Sequence, residues 1–389
     1  MIYTIIASIV LFYSLYMFLT VGIGLFYKSP QLELKKNNHS VLVFFPMYKP
    51  TEKAVSNLKK QKAEFKDLGA KLFVLSQEAD PTIDEELLEE ADYFRSKKFS
   101  HFEGNSYHHA LQFAVEEIQN FEYKFDSILV MDPDNFMEAN SLKRLIESRL
   151  NGDNVVISTR KSYSKETSTS LFDGMAERLN DYMFRRSKSL LGFHPELSGS
   201  GMLIELGLFK QAVSKLDRKS PGMDKQLLIR MMLEKSDLKI SYDEKAIVLD
   251  EKTEDSDAFN RQRKRWFSNQ YYCAYHFGWK LLSSKNNALV DYGISLWRPP
   301  RSFQVVGAVL LAPIDLLGYS FGLVNAPLIT LSALISVIAI GLFLLNEGML
   351  RKVISNILPL IRTSLKNGVT AISGSLSSNG SFIHTRVNK

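Results

Sequence analysis

The stretch DSILVMDPDN, Asp126 to Asn135, decides the fold. An apolar run too short for a helix stops at two carboxylates set one residue apart, with a proline between them. That pattern reads as a buried strand emptying into an acidic turn. Working outward, SVLVFFP (Ser40 to Pro46), AKLFVLS (Ala70 to Ser76), NVVISTR (Asn154 to Arg160) and GMLIEL (Gly201 to Leu206) read as further strands. KISYDEKAIVLDE (Lys239 to Glu251) reads as one or two more. Between them, Thr51 to Leu68, Asp84 to Phe94, Tyr107 to Ile118, Gly174 to Leu191, Asp224 to Leu233 and Phe259 to Tyr275 carry helical spacing. Alternating strands and helices predict an α/β domain with a mostly parallel sheet, whose ligands sit past the C-terminal strand ends.

Apolar residues are segregated to the two flanks of this region. Ile2 to Tyr27 is uncharged and long enough to span a bilayer, where about 20 residues are needed. No charged leader or small-residue cleavage site marks it for removal, so it reads as an anchor over residues 1–27. Lys28, Lys35 and Lys36 follow it and predict a cytoplasmic location for the next domain, residues 38–285. Trp297, Arg298, Pro299 and Pro300 give residues 286–302 the character of a membrane-interface segment. Residues 303–346 contain one charge, Asp315, and are long enough for two spans turning near Gly322, Asn325 and Pro327. A buried hairpin of a soluble protein is the competing reading, disfavoured by this length. Residues 347–389 read as a cytosolic amphipathic segment and tail. The expectation is a multi-pass cell-membrane protein in contact with the lipid bilayer. An ionisable group inside a span is a candidate for function, or else lines a helix contact, and both readings stand for Asp315.

Net charge of +6 is modest, and the basic run from Arg261 to Arg265 is the sole feature favouring nucleic acid, so no nucleic-acid partner is expected. One cysteine, Cys273, excludes an internal disulfide framework. The His108-His109 pair lacks companion ligands for zinc.

Four constellations carry chemistry. Asp132 and Asp134 are hard oxygen ligands of the kind that hold Mg²⁺ beside a substrate's phosphates; alone, such a pair is more often a solvated turn. Gln262-Arg263-Lys264-Arg265-Trp266 offers guanidinium forks for phosphate and an indole face for a sugar, or else a solvated basic helix face over a core tryptophan. Asp224 opens a helical stretch and is either an N-cap or a general base. Ser198-Gly199-Ser200-Gly201 lets a ligand approach the backbone but matches no Walker or dinucleotide fingerprint.

In this order the motifs resemble the membrane-integrated family-2 glycosyltransferases, the group of the cellulose, hyaluronan and poly-N-acetylglucosamine synthases. The resemblance covers about Ser40 to Gln270. It runs through Val41 to Tyr48, Asp132/Asp134, Ser198 to Met202, Asp224 and Gln262 to Trp266. The sequence departs from the pattern at Ser76-Gln77-Glu78-Ala79-Asp80, at Glu103-Gly104-Asn105 and at Met223.

The resemblance implies a GT-A-type α/β domain and inverting transfer from a nucleotide-diphosphate sugar, a UDP-sugar by preference, with Mg²⁺ or Mn²⁺ as cofactor. It implies a metal site at Asp132 and Asp134 and a catalytic base at Asp224. Donor contacts are implied at Pro46, Tyr48, Glu78 or Asp80, Gly104, Asn105, Gln262, Arg263 and Arg265. Acceptor contacts are implied at Ser198, Gly199, Ser200, Gly201 and Trp266. The acceptor is a glycan, for β-linked polysaccharide synthesis, or a lipid-linked molecule that receives a single sugar. Three spans are few for a polysaccharide channel, so polymer export would call for a homo-oligomer or an export partner. A reading from another class is a catalytically silent nucleotide-sugar-binding subunit.

Overall fold

The computed structural model describes residues 2–33, 38–99, 106–163, 167–252 and 255–376. Eight strands are described: β1 (Val41–Tyr48), β2 (Ala70–Gln77), β3 (Tyr93–Ser96), β4 (Ser127–Val130), β5 (Phe136–Met137), β6 (Val155–Ser162), β7 (Met202–Glu205) and β8 (Ile240–Asp250). They form one sheet in the order β3-β2-β1-β4-β7-β6-β8-β5. β3, β2, β1 and β4 are parallel. β7 runs antiparallel to both β4 and β6, β6 is parallel to β8, and β5 is antiparallel to β8. The sheet is therefore mixed but mostly parallel. The long strands point their C-terminal ends at one edge, where β7 begins.

Both faces are covered, as a mostly parallel sheet requires. Along β1, Leu42 and Phe44 enter the core shared with the helices Ser106–Ile118, Leu206–Ser214 and Asp224–Glu234. Val41, Val43, Phe45 and Met47 face the opposite core, under the helices Glu52–Phe65 and Ala139–Leu150.

Two strands were not legible in the sequence. The expected helix Asp84 to Phe94 ends instead at Glu90, and β3 follows. Asp92 makes the break: its carboxylate accepts from Leu72 N (2.8 Å) while its own N–H donates to Leu72 O (3.0 Å). Tyr93 then pairs beside Phe73, where an aromatic side chain suits a strand. β5 is two residues long, too short to carry a period, and is set by Gln61, whose amide bonds both Met137 N and Met137 O (2.9 and 2.8 Å). The helix expected from Gly174 begins earlier, as Ser168–Asn180 capped by Thr167. It continues through a wide π turn at Asp181–Arg186 into Ser187–Leu191.

Among the described residues, three helices are long and apolar enough to cross a membrane: Ile2–Gly24, Ser302–Ser320 and Leu328–Asn346. The first and third pack through small residues, with Ser336 Oγ donating to Ser14 Oγ (3.0 Å). Their outward faces expose Ile5, Ile9, Leu310, Ile314, Leu334 and Val337, an apolar belt suited to lipid. Asp315 ties helices together: it accepts from Tyr3 and from both the N–H and the hydroxyl of Thr330 (2.8 and 2.9 Å). The helix Ile357–Leu376 packs along the helix Ser256–Cys273 and leaves Leu358, Leu365 and Val369 exposed.

Candidate active site

β4 ends at Val130, and its chain carries Met131 and Asp132 to the edge of the sheet. The turn is fixed from behind by the glycine-rich segment. Ser200 is fully buried and its hydroxyl accepts from Asp132 N (2.9 Å). In the amide orientation that gives every atom a partner, Asn135 O accepts from Ser200 Oγ (2.7 Å). Its nitrogen then donates to Asp250 Oδ1 (3.0 Å) and Asp134 Oδ1 (3.3 Å). Gly201 has φ +70°, and a Cβ there would stand 2.2 Å from Ser158 Oγ and 2.5 Å from Val248 Cγ2. Its N–H bonds Val130 O (2.8 Å) and its carbonyl accepts from Ser158 N (3.1 Å). Ser200 and Gly201 thus stand behind the site as its support, while Ser198 and Gly199 reach its wall.

A cavity of about 480 Å³ lies past this edge. Asp132, Asp224, Gln262, Arg263, Arg265 and Trp266 all line it. The spacing from 262 to 269 places Gln262, Arg265, Trp266 and Asn269 along one face of the helix Ser256–Cys273. Asn269 Nδ2 donates to Asp224 Oδ1 (2.8 Å), and Asn269 Oδ1 accepts from Ser220 Oγ (3.2 Å). Gly222 makes this close approach possible: a Cβ at 222 would sit 2.7 Å from Asn269 Nδ2. Arg263 is turned to Asp173 in a buried ion pair and stacks on Trp266, 4.6 Å from the ring centroid. Arg265 lies in the combined field of Asp132, Asp224 and Tyr107; burial pulls its guanidinium down and those three oppose the shift.

The charge balance at the acidic turn favours a cation. Burial pushes Asp132 up, with Asp250 adding to the shift and Arg160 and Arg265 opposing it. Burial, together with the charges of Asp132 and Asp250, pushes Asp134 up to about 7. Asp134 forms no ion pair among the described residues. Asp250 instead pairs with Arg160 (2.9 Å) and Lys252 (2.6 Å), and Lys252 also pairs with Glu177. Burial alone would raise Glu177, but Lys252, Arg160 and Arg185 hold it well below the usual carboxylate range. No group of three or more His, Cys, Asp or Glu among the described residues forms a metal cage. Asp132 and Asp134 fit the alternative, an ion such as Mg²⁺ or Mn²⁺ that takes its other ligands from phosphates and water.

Of the other positions expected to contact the donor, Pro46, Tyr48, Glu78 and Asp80 lie in or just after β1 and β2 and are not among the residues that line the cavity. Pro46 is buried within β1. Tyr48 Oη donates to Glu78 Oε2 (3.2 Å), and Lys49 pairs with the same oxygen (3.2 Å). Asp80 is occupied as the N-cap of the helix Pro81–Glu90, accepting from Thr82 N (3.0 Å) and Thr82 Oγ1 (2.8 Å). Gly104 and Asn105 lie outside the described residues.

Sequence reasoning missed Tyr107, Arg160, Asp250, Asn269 and Glu196. Arg160 and Asp250 sit near the C-terminal ends of β6 and β8, the position that should have drawn notice. Asn269 is seven residues beyond Gln262, on the same helix face. Glu196 binds Arg298 (2.7 Å) and Lys225 (3.2 Å) at the cavity wall.

The fold is shared with a solved mannosyltransferase structure. "Mannosyltransferase PcManGT from Pyrobaculum calidifontis in complex with GDP-Man and Mn2+" is 10% identical, with 96% of this chain and 97% of that chain covered and a TM-score of 0.58. S. aureus TarS residues 1–349 are 13% identical, with 87% and 90% covered and a TM-score of 0.43. None of the curated proteins matches the chain. The family model described as glycosyl transferase family group 2 matches residues 127–348, from β4 through the apolar helix Leu328–Asn346, and this chain belongs to that family.

Proposed function

We propose that the chain is an inverting, metal-dependent glycosyltransferase. It takes a sugar from a nucleotide-diphosphate sugar, UDP-linked by preference, and gives it to an acceptor presented at the cytoplasmic membrane face. The observation that carries this reading is one cavity lined by Asp132, Asp224, Arg265 and Trp266, residues far apart in sequence.

Asp132 and Asp134 are assigned the divalent ion, whose role is to neutralise charge on the departing diphosphate. The similar mannosyltransferase structure is a complex with GDP-Man and Mn²⁺, which supports that assignment. Arg265 and Gln262 are assigned the diphosphate, with Arg265 in the field of Asp132 and Asp224. Glu78, poised between Tyr48 and Lys49, is the better candidate than the capping Asp80 for the nucleotide. Asp224 is assigned the acceptor's proton, and its hydrogen bond from Asn269 fixes the carboxylate's direction. The acceptor oxygen then attacks the anomeric carbon opposite the leaving diphosphate, so an α-linked donor yields a β-linked product. Trp266 offers its ring to the acceptor sugar.

Lys28, Arg298, Arg301, Arg351 and Lys352 flank the spans on one side of the sequence pattern, which supports a cytoplasmic catalytic domain. The cavity continues along Val305, Ile340 and Phe343 from the membrane hairpin, which favours a lipid-linked acceptor over a free glycan. The assay is a panel of nucleotide sugars with purified protein and Mn²⁺, products read by mass spectrometry. Asp224→Asn is expected to abolish transfer while donor binding stays near wild type; full turnover in the purified variant would remove the base assignment.

A further inference from the structure

Arg301 lines the cavity and immediately precedes the apolar helix Ser302–Ser320. Its Nη2 donates to Ala176 O at 3.2 Å. Its Nη1 is buried without a hydrogen-bond partner, and Arg301 forms no ion pair among the described residues. Burial pushes its guanidinium down to about 9, the charges of Arg263 and Arg298 add to that shift, and Glu196 alone opposes it. Glu196 is already held by Arg298 and Lys225. A buried cation in this position is stabilised when an anion shares its cavity.

The donor's diphosphate does not fill that role. Arg265, assigned to the diphosphate, is on the helix Ser256–Cys273, whereas Arg301 bonds Ala176 O and is followed directly by the apolar helix Ser302–Ser320. Arg301 therefore adjoins the apolar helices that wall the cavity. The wall beyond it is apolar: Val305, Ile340, Phe343, Leu360 and Ile361. We propose that Arg301 is the anion subsite for the acceptor, receiving a phosphate carried by an amphiphile whose alkyl chain lies along Val305, Ile340 and Phe343. This rests on the glycosyltransferase reading and narrows its acceptor to a phosphate-bearing, lipid-like molecule.

The test is binding to the full chain in a neutral detergent, by native mass spectrometry, with three probes: dodecyl phosphate, dodecanol and inorganic phosphate. Dodecyl phosphate is expected to bind about ten-fold or more tightly than either other probe, because one charge-assisted contact and the alkyl wall act together. Arg301→Gln should remove about ten-fold of that affinity, and Arg301→Lys should keep most of it. Equal binding of dodecanol, or an unchanged Arg301→Gln, would overturn the anion subsite. Inorganic phosphate binding as tightly as dodecyl phosphate would overturn the amphiphile. The three-probe comparison needs only the wild-type chain, so a poorly folding variant does not block it. Metal-dependent nucleotide release by the same wild-type preparation checks the enzymatic reading separately: its absence with probe selectivity intact removes the enzyme and keeps the subsite.

Discussion

Gly222→Ala adds one methyl group, and the structure says where it lands. The new Cβ would stand 2.7 Å from Asn269 Nδ2 and 2.8 Å from Asn269 Cγ, closer than atoms of this kind approach. The helix Ser256–Cys273 is anchored on both sides, so the Asn269 amide is the part free to give way. Its displacement breaks the 2.8 Å hydrogen bond that orients Asp224. A hydrogen bond to a charged group contributes about 1.5–3 kcal/mol, which corresponds to roughly 10–100-fold in turnover. Asn269→Ala removes the same bond and should have an effect of the same size. The double variant is decisive. With the amide already gone, the added methyl has little left to displace, so the pair should be no slower than Asn269→Ala alone within about three-fold. The assay is steady-state nucleotide release with saturating acceptor, with donor KM measured alongside and expected to stay within about three-fold. Wild-type turnover in Gly222→Ala would refute the reasoning. So would a double variant whose loss is the product of the two single losses.

Three further outcomes are expected. Asp134→Ala should abolish the Mn²⁺-dependent component of donor binding in titration calorimetry; an unchanged isotherm would remove Asp134 from the metal site. Gly201→Ala should destabilise the fold by roughly 2–5 kcal/mol, from a disfavoured left-handed backbone plus overpacking against Ser158 and Val248, read as a lowered denaturant midpoint. Glu196 is held well below the usual carboxylate range: burial would raise it, but Arg298 and Lys225 outweigh that. Its stabilisation is therefore complete above about pH 5 and is lost as pH falls from there toward the depressed folded value. Glu196→Gln should lower stability near neutral pH, where Arg298 loses its counter-charge, by roughly 3–5 kcal/mol, and should flatten the acid limb of the stability profile.

How far the sequence could be read depends on whether a feature is local. Asp132 and Asp134 were legible because an apolar run ends on them, and Gln262, Arg265 and Trp266 because one helix carries all three. Asp80 was ambiguous, yet Asp80-Pro81-Thr82 carries the cap-then-proline signature of a helix start, and the carboxylate serves that cap. Asp250 was hidden among the acids of a long β8, and Arg160 beside it was one of 48 basic residues. Each gains meaning only when β6 and β8 pair in parallel and bring the two within 2.9 Å. Ser200 misled for the opposite reason. Its small, polar, glycine-flanked setting suits a ligand loop, but the antiparallel β7 turns its hydroxyl inward to hold Asp132 N.

The apolar helices Ser302–Ser320 and Leu328–Asn346 and the acidic turn are joined by a continuous run of charged contacts, which argues against treating them as separable parts. Glu347, just past the Leu328–Asn346 span, pairs with Arg178 (2.9 Å) and accepts from Tyr182 Oη (2.6 Å). Arg178 reaches Asp181 (3.1 Å), Asp181 pairs with Arg185, and Arg185 approaches Glu177 (3.9 Å). Glu177 meets Lys252 and Arg160, and Arg160 lies 4.0 Å from Asp132. Removing the hairpin would take Glu347 from Arg178 and Tyr182 and would open the cavity wall formed by Ile340 and Phe343. Losing Glu347 costs stability because Arg178 would keep only Asp181 among the described residues, a partner it already shares with Arg185. The helix Ser168–Asn180 and the π turn after it carry most of these links, and they also line the cavity. The apolar helices are thus part of the cavity's architecture, and a chain cut before them would lose both the Glu347 contacts and one wall of the pocket.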